Sequence, residues 1–420
     1  MKNIGLLFCI FIQTIGFAQN LATATPESVG ISSARLKRID ATLNDYIDKG
    51  RIAGAIALIM RDGKLVYHEA FGYDNVETKT KLSKDAIVRI ASQTKAITST
   101  AVMMLYEEGK FLLDEPISRY IPAFKSAAVL DKFNEADSSF TTIPAKRPIT
   151  IRDLLSHTSG ISYSGIGTKE ANAIYAKNKI SNGLGSPDAK LADFINDLAK
   201  MPLMHQPGER FTYGLNTDVL GYFVELVSGK ALDVFFQERI FAPLGMSDTY
   251  FYLPDAKQNR LATLYAENRE RKMVLAADAV QNFPKQKGSF FSGGGGLSST
   301  ALDYAQFLQC MLNGGSLNGK DILSPAIIKQ MTSNQIGDAT VNNGYKKFGL
   351  GYSLVTAKEA ARLPVSEGNF EWGGIFGTSY WVDPKENLIG IILTQKYPNS
   401  FGDLNEKFRV LVYQALTKLK

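Results

Sequence analysis

The apolar residues near the start of the chain follow the pattern of a β-hairpin. Residues 55–60 form an apolar run, Asp62 and Gly63 favour a tight turn, and residues 65–67 are apolar again. Two apolar runs separated by a turn signal predict a pair of antiparallel strands over residues 54–72.

A second region with strand periodicity begins after residue 345. Apolar residues there alternate with small or polar ones, which indicates strands with a period of two. Asp383 and Pro384 supply a turn between the last two strands. The pattern also predicts a final helix from about residue 403 to residue 419. The predicted strands cover residues 348–352, 378–382 and 388–393.

Between these two regions, residues 111–334 carry helix starts and no long alternating run. Thr150 and Asp153 form a capping box, and residues 217–227 have the pattern of an amphipathic helix. Another helix is predicted to begin after Thr300. Strands at both ends of the chain around a helical middle predict an α/β (α+β) fold.

We therefore expect an antiparallel sheet built from both termini and flanked by helices, with a mainly helical sub-domain inserted. Residues 19–110 and 335–420 are assigned to the α/β sub-domain, and residues 111–334 to the inserted one. Two sub-domains are also expected because 420 residues exceed the length at which one hydrophobic core usually stops growing. The helix predicted over residues 92–108 is apolar on most faces, so it should lie at the centre.

Residues 1–18 have the features of an export signal. A lysine opens the segment, residues 4–17 are apolar, and small residues precede a cleavage site between Ala18 and Gln19. The apolar run is shorter than the ~20 residues that a spanning helix needs, so we expect no membrane span in the mature chain. The mature protein is expected in the periplasm or outside the cell. Cys310 would then be its only cysteine, which excludes an intrachain disulfide.

Composition and motifs argue against several classes of function. The chain has 47 basic and 41 acidic side chains without a basic block, so nucleic-acid binding is not expected. The 3 histidines are far apart and form no H-E-x-x-H pair, so we expect no metal and no other cofactor. No serine lies in the G-x-S-x-G nucleophile elbow, and nothing in the sequence supports a Ser-His-Asp triad.

One serine-lysine pair stands at the start of the buried helix. Ser92 and Lys95 are three residues apart, so their side chains share one helix face. A cation beside a hydroxyl lowers the cost of ionising it, and a desolvated lysine can act as a base. The spacing alone is a weak signal, since a surface pair would look the same. An unpaired lysine in a buried helix is costly, however, and this favours a functional role.

The chain resembles the serine β-lactamase and penicillin-binding superfamily, especially class C β-lactamases and family VIII carboxylesterases. The resemblance covers about residues 50 to 395, and its motifs occur in the family's order. They are Ser92-Gln93-Thr94-Lys95, Leu154-Leu155-Ser156-His157-Thr158-Ser159-Gly160, Pro207-Gly208-Glu209 with Phe211-Thr212-Tyr213, Pro243-Leu244-Gly245-Met246, Gly295-Gly296-Leu297-Ser298-Ser299-Thr300 and Trp372-Gly373-Gly374.

The resemblance implies a catalytic role for three side chains. Ser92 would attack the substrate carbonyl and become acylated, while Lys95 would hold the Ser92 hydroxyl and keep Tyr213 partly ionised. Tyr213 would take the Ser92 proton and later activate the deacylating water or alcohol. The backbone N–H groups of Ser92 and Ile375 would form the oxyanion hole, which is worth several kcal/mol of barrier in such enzymes, roughly 3–4 per donor.

Two positions depart from the class C pattern. Leu215 occupies the place of the motif asparagine and Asn216 follows it, so Asn216 either reaches the site or caps the next helix. Trp372 stands where these enzymes commonly have a lysine that anchors a substrate carboxylate. A tryptophan there resembles the family VIII esterases and should favour uncharged acyl groups. Gly373 and Gly374 would let the substrate backbone approach the strand.

These features predict an exported serine hydrolase that cleaves carboxylic esters through a Ser92 acyl-enzyme. A β-lactamase or D-amino-acid peptidase is the alternative, and a non-catalytic, penicillin-binding-like sensor is a further one. The partner in the first two cases is a small-molecule ester or amide. Aromatic residues are usually core, but four are candidates for lining the acyl pocket: Tyr163, Phe291, Trp372 and Phe376.

Overall fold

The computed structural model describes residues 21–184 and 188–420. The predicted export signal, residues 1–18, lies outside these ranges. Within them, no helix is long and apolar enough to cross a membrane.

The described ranges contain helices throughout and strands mainly near the two ends. The α-helices are α1 Ser33–Asp48, α2 Thr94–Glu107, α3 Ile151–Leu155, α4 Lys169–Lys177, α5 Leu191–Leu198, α6 Asn216–Ser228, α7 Leu232–Phe236, α8 Ala242–Leu244, α9 Asp278–Asn282, α10 Ala301–Leu312, α11 Pro325–Met331, α12 Ala357–Ala360 and α13 Leu404–Gln414. The strands are β1 Gly54–Arg61, β2 Lys64–Asn75, β3 Thr80–Lys81, β4 Val88–Arg89, β5 Ala128–Phe133, β6 Phe140–Pro144, β7 Tyr265–Glu267, β8 Met273–Leu275, β9 Ser298–Ser299, β10 Ser316–Leu317, β11 Lys320–Asp321, β12 Lys347–Phe348, β13 Ser353–Leu354, β14 Phe370–Gly374, β15 Thr378–Asp383 and β16 Leu388–Leu393.

One antiparallel sheet joins the two ends of the chain. Its strand order is β12-β13-β14-β15-β16-β1-β2-β3, and the N-terminal and C-terminal strands meet where β1 pairs with β16. In that pair Leu58 lies opposite Ile391. Every residue of β1 and of β16 is buried, as expected for central strands covered on both faces. The predicted fold class is therefore confirmed, while the exact sub-domain boundaries stay a prediction.

Helices cover both faces of this sheet. On one face, α1 and α13 pack against Trp381 through apolar residues that include Ile39 and Phe408. The other face packs on α2, α10 and the helices that follow α2 in the chain. Helix α2 is buried without a break from Thr94 to Leu105, which confirms its predicted central position.

Helix and turn signals are well matched by the structure. Thr150 and Asp153 make both hydrogen bonds of a capping box at the start of α3. Thr300 caps α10, and Gly229 ends α6 in the left-handed conformation. The hairpin of β1 and β2 turns at Asp62 and Gly63, both of which have positive φ. These caps and turns depend on short polar side chains and glycines at particular positions, so they can be identified from the sequence alone.

Three details differ from the sequence predictions. Of the strand predicted over residues 348–352, only Phe348 lies in a strand, at the end of β12, and β13 begins at Ser353. The strand is interrupted because Gly349 lies close to the Met331 carbonyl and Gly351 turns with φ +98. Helix α13 ends at Gln414, where the Arg35 guanidinium binds the carbonyl oxygens of Gln414 and Leu416. The middle also contains a hairpin of β5 and β6, whose residues are mostly exposed and lack clear alternation.

Candidate active site

Ser92 lies in a single 3-10 turn, Ala91–Gln93, directly before α2. Ala91 has a positive φ of 45°, an uncommon conformation for a residue with a side chain, and it turns the chain from β4 into the helix. Lys95 is the second residue of α2, and its Nζ lies 3.4 Å from Ser92 Oγ. The structure thus brings the predicted serine and lysine together.

Lys95 is almost completely buried, with 2% of its surface exposed. Its Nζ donates a hydrogen bond of 2.8 Å to the hydroxyl of Tyr163 and another to the carbonyl oxygen of Gly294. All these partners are neutral oxygens. A buried ammonium needs such partners, because leaving it unbonded would cost several kcal/mol.

Tyr213 stands on the other side of Lys95. The Lys95 Nζ lies 4.9 Å from the centre of the Tyr213 ring, and the Trp372 Nε1 is 3.4 Å from the Tyr213 hydroxyl. The ring also packs against Tyr163 and Trp372, each with a centroid distance of 5.2 Å. Among the hydrogen bonds of the described residues, the lysine bonds the hydroxyl of Tyr163 and not that of Tyr213.

These side chains border a cleft of about 400 Å³, here called the apolar cleft. Ser92, Tyr163 and Tyr213 line one part of it, and Trp372, Gly373 and Ile375 line another. Its remaining walls are largely apolar and include Ile166, Leu184 and Tyr397. A concave, mostly apolar cavity with a few converging polar groups is typical of a small-molecule site.

Strand β14 approaches the Ser92 turn closely. A Cβ on Gly374 would overlap the Ile90 carbonyl oxygen and the Thr378 hydroxyl, so only glycine fits there. Ile375 follows directly and lines the cleft with Ser92. Outside regular helices and strands, no backbone hydrogen bond of the described residues uses the amide of Ser92 or Ile375.

Three predicted site residues lie elsewhere. Asn216 begins α6, but its buried side chain makes no cap: it accepts from Ser159 Oγ and bonds the His157 Nδ1 at 2.8 Å. Phe291 packs against Phe251 and lines a separate cavity. Phe376 is buried in a small cluster that includes Ala91. Asn216 therefore supports His157, which in turn contacts the Tyr213 ring at 5.0 Å.

His157 itself is fully enclosed. Burial and the nearby Lys95 charge hold the pKa of His157 well below its usual value, so the imidazole is neutral at physiological pH. A neutral, hydrogen-bonded imidazole fits the structural role expected from the sequence.

Asp218 is a polar residue of the site that sequence reasoning missed. It is completely buried in α6, accepts a hydrogen bond of 2.6 Å from Ser292 Oγ, and accepts another of 3.1 Å from the Gly294 amide. Burial raises the pKa of Asp218, and the positive charge of Lys95 opposes that rise. The available signal was a carboxylate in the first turn of a helix whose next six residues, 219–224, carry no charge.

Comparisons with known proteins fit this geometry. A family model described as Beta-lactamase matches residues 39–414. Protein Rv1367c of Mycobacterium tuberculosis is 35% identical over 373 residues, which cover 86% of this chain and 90% of that protein. Esterase EstB of Burkholderia gladioli is 29% identical, and the alignment covers 93% of this chain and 99% of EstB.

A solved structure agrees as well. EstCE1, described as a hydrolase with promiscuous acyltransferase activity, has a TM-score of 0.80 and 28% identity, over 90% of this chain and 99% of that chain. No group of three or more potential metal-ligating side chains occurs in residues 21–184 and 188–420. The chain belongs to the beta-lactamase family, whose members are serine hydrolases.

Proposed function

We propose that the protein is an exported esterase that cleaves carboxylic esters through an acyl-enzyme on Ser92. The observation that carries the proposal is the Ser92 hydroxyl 3.4 Å from a buried lysine, at the wall of a cleft that is also lined by the uncharged Trp372. The relative EstB is an esterase, which supports the same activity. Export is supported by the pattern of residues 1–18.

The first step is acylation. Ser92 Oγ forms a bond to the ester carbonyl carbon while its proton passes to the phenolate oxygen of Tyr213, and the negative charge of the phenolate is replaced by that of the carbonyl oxygen. The amides of Ser92 and Ile375 stabilise that oxygen, and Lys95 stabilises the serine oxygen before attack. When the tetrahedral adduct collapses, the bond to the alcohol breaks and the alcohol leaves with the proton from Tyr213.

The second step returns the enzyme to its starting state. A water molecule gives its proton to Tyr213 and adds to the acyl carbon, so that the Ser92 ester bond breaks. The carboxylic acid is released and Ser92 regains its proton. An acceptor alcohol in place of water would give acyl transfer by the same residues.

The charge distribution beside the cleft favours esters over anionic lactams. Two cations beside the strand, Lys346 and Arg409, are both ion-paired with Glu371 of β14, and Lys346 also contacts Glu359. Arg409 contacts the Glu371 carboxylate at 2.6 Å. Trp372 supplies one N–H donor and no charge. Strand β14 itself carries no cation, so a substrate carboxylate placed at Trp372 would find no positive charge there.

The test is mass spectrometry of the intact protein mixed with p-nitrophenyl butanoate, combined with steady-state turnover. We expect the wild-type chain to release p-nitrophenol and to carry one butanoyl group, and Ser92→Ala to do neither. Ser139→Ala, at an exposed turn, is the matched control and should behave as wild type. Turnover that survives Ser92→Ala would contradict the proposal. Faster hydrolysis of nitrocefin than of the ester would favour the β-lactamase alternative.

A further inference from the structure

A second cavity of about 690 Å³ adjoins the apolar cleft. It lies against β14, α12 and the first turns of α13, and we call it the polar groove. Six charged side chains line it: Lys346, Glu359, Arg362, Glu371, Glu406 and Arg409.

The two cavities meet at the half-buried end of β14. Asn342, Trp372 and Gly373 line both of them. Gly373 has no side chain that could separate the two spaces. A molecule with its reacting carbonyl between Ser92 and Ile375 can therefore extend over Gly373 into the polar groove, with its other end in the apolar cleft.

The charges of the groove cancel. Three of the six side chains are cationic and three are anionic. Glu371 is ion-paired with both Lys346 and Arg409, and its side chain is only 8% exposed. Lys346 also contacts the Glu359 carboxylate at 3.9 Å, so these four side chains form a cluster without net charge. A ligand end with a net charge of either sign would meet as many repulsive as attractive groups.

Two charged side chains of the groove remain accessible. Arg362 and Glu406 are both exposed, and within the described part of the chain neither forms an ion pair or a side-chain hydrogen bond. Arg362 stacks over the Tyr345 ring at 5.0 Å, which orients its donors. The groove thus offers hydrogen-bond donors from Arg362 and acceptors from Glu406.

We propose that the polar groove binds an uncharged, hydroxyl-rich end of the ester, while an apolar end of the same molecule occupies the apolar cleft. Hydroxyl groups both donate and accept, so they match a lining that presents both kinds of partner without net charge. The inference rests on the proposed esterase function, because it assigns the two ends of that enzyme's substrate.

The experiment uses two pairs of esters with identical ring size, which cover both orientations of the ester bond. One pair is inositol monobutanoate and cyclohexyl butanoate, and the other is butyl quinate and butyl cyclohexanecarboxylate. Binding to Ser92→Ala is measured by calorimetry, and kcat/KM is measured with the unmodified enzyme. In at least one pair, we expect the hydroxylated ester to be favoured about tenfold in both readouts, as hydrogen bonds to charged groups allow.

The double variant Arg362→Met/Glu406→Met keeps the net charge and removes the accessible polar groups. It should abolish the preference, whereas the exposed control Arg119→Ala should retain it. The ratio within a pair is the readout, so a general loss of folded protein cannot mimic the effect. Equal or weaker binding of the hydroxylated ester in both pairs, or a preference that survives the double variant, would overturn the inference. Absence of p-nitrophenyl butanoate turnover would instead contradict the esterase function. The binding ratios measured with Ser92→Ala would still test whether the polar groove prefers the hydroxylated ester.

Discussion

Among residues 21–184 and 188–420, two lysines are almost completely buried, and they are held in different ways. Lys396, with 1% of its surface exposed, donates to the carboxylate of Glu267 at 2.7 Å and to the Arg51 carbonyl at 2.7 Å. Lys95, with 2% exposed, donates to neutral oxygens only, among them the Ser92 hydroxyl at 3.4 Å. The first lysine has its counter-charge in direct contact, and the second does not.

A carboxylate whose charge interacts with Lys95, that of Asp218, is linked to the lysine through the backbone of Gly294. Asp218 accepts a hydrogen bond from the Gly294 amide, and the carbonyl oxygen of Gly294 accepts one from Lys95 Nζ. A direct ion pair would fix the ammonium on the carboxylate, as it does in the Lys396–Glu267 pair. Here Gly294 lies between the Asp218 carboxylate and the ammonium. The negative charge therefore compensates Lys95 from a distance, while the lysine still donates to Ser92 and Tyr163. Burial without direct pairing distinguishes the functional lysine from the structural one.

The largest expected effect is on catalysis. Lys95→Met should lower kcat/KM for p-nitrophenyl butanoate about 1000-fold, the size typical of a lost proton-handling group. The thermal unfolding midpoint should change little, because the variant replaces a buried cation with an apolar side chain of similar length. Steady-state kinetics and calorimetric unfolding check both parts. A variant with near wild-type kcat/KM would remove Lys95 from the mechanism.

The converse is expected at the other lysine. Lys396→Met leaves the buried Glu267 without its counter-charge, which should lower the free energy of unfolding by about 3 kcal/mol. Its kcat/KM should remain near that of wild type. Urea unfolding provides the measurement, and Lys396→Met/Glu267→Leu should recover part of the loss because no unpaired charge then remains. A loss of kcat/KM in Lys396→Met without a loss of unfolding free energy would contradict the division into a functional and a structural lysine.

Much of the fold was predictable because local patterns decide it. The β1–β2 hairpin has apolar runs on both sides of an Asp-Gly turn, and the capping box of Thr150 and Asp153 predicts the start of α3. The split between β12 and β13 was not predictable, since it depends on where the Gly349 backbone meets Met331. That contact joins segments that the pattern of residues 345–355 does not connect.

The candidate site shows the same division. Ser92 and Lys95 are three residues apart on the chain, so their contact follows from helix geometry, and Tyr213 came from a motif. The aromatic residues had no such constraint, and Phe291 and Phe376 pack elsewhere. The role of Asp218 was not predictable, because its partners Ser292 and Gly294 are distant in sequence, 74 and 76 residues away.

A smaller effect is expected when the distant counter-charge is removed. Asp218→Asn keeps the shape of the side chain and an acceptor for the Gly294 amide, but it removes the negative charge near Lys95. We expect kcat/KM to fall about tenfold, which is the effect of roughly 1.4 kcal/mol. Steady-state kinetics of p-nitrophenyl butanoate hydrolysis measure the loss.

A matched variant separates the charge of Asp218 from its structural role. Ser292→Ala removes one hydrogen bond to Asp218 and keeps its charge. It should therefore lower kcat/KM by less than Asp218→Asn does. An equal loss in the two variants would mean that the carboxylate only holds the loop of Gly294.

The smallest effect on kcat/KM is expected when one of the neutral oxygens that accept hydrogen bonds from Lys95 is removed. Tyr163→Phe removes the hydroxyl that accepts from Lys95 at 2.8 Å and keeps the ring that packs on Tyr213. We expect kcat/KM to fall about fivefold, since one hydrogen bond to a charged group is lost while the bond to the Gly294 carbonyl remains. Kinetics of p-nitrophenyl butanoate hydrolysis measure this, with Tyr175→Phe as the control, because that buried hydroxyl accepts from the Ser162 amide rather than from Lys95. A loss as large as that of Lys95→Met would mean that Tyr163, rather than Tyr213, carries the serine proton, and the shared hydrogen bond would then be part of the proton path.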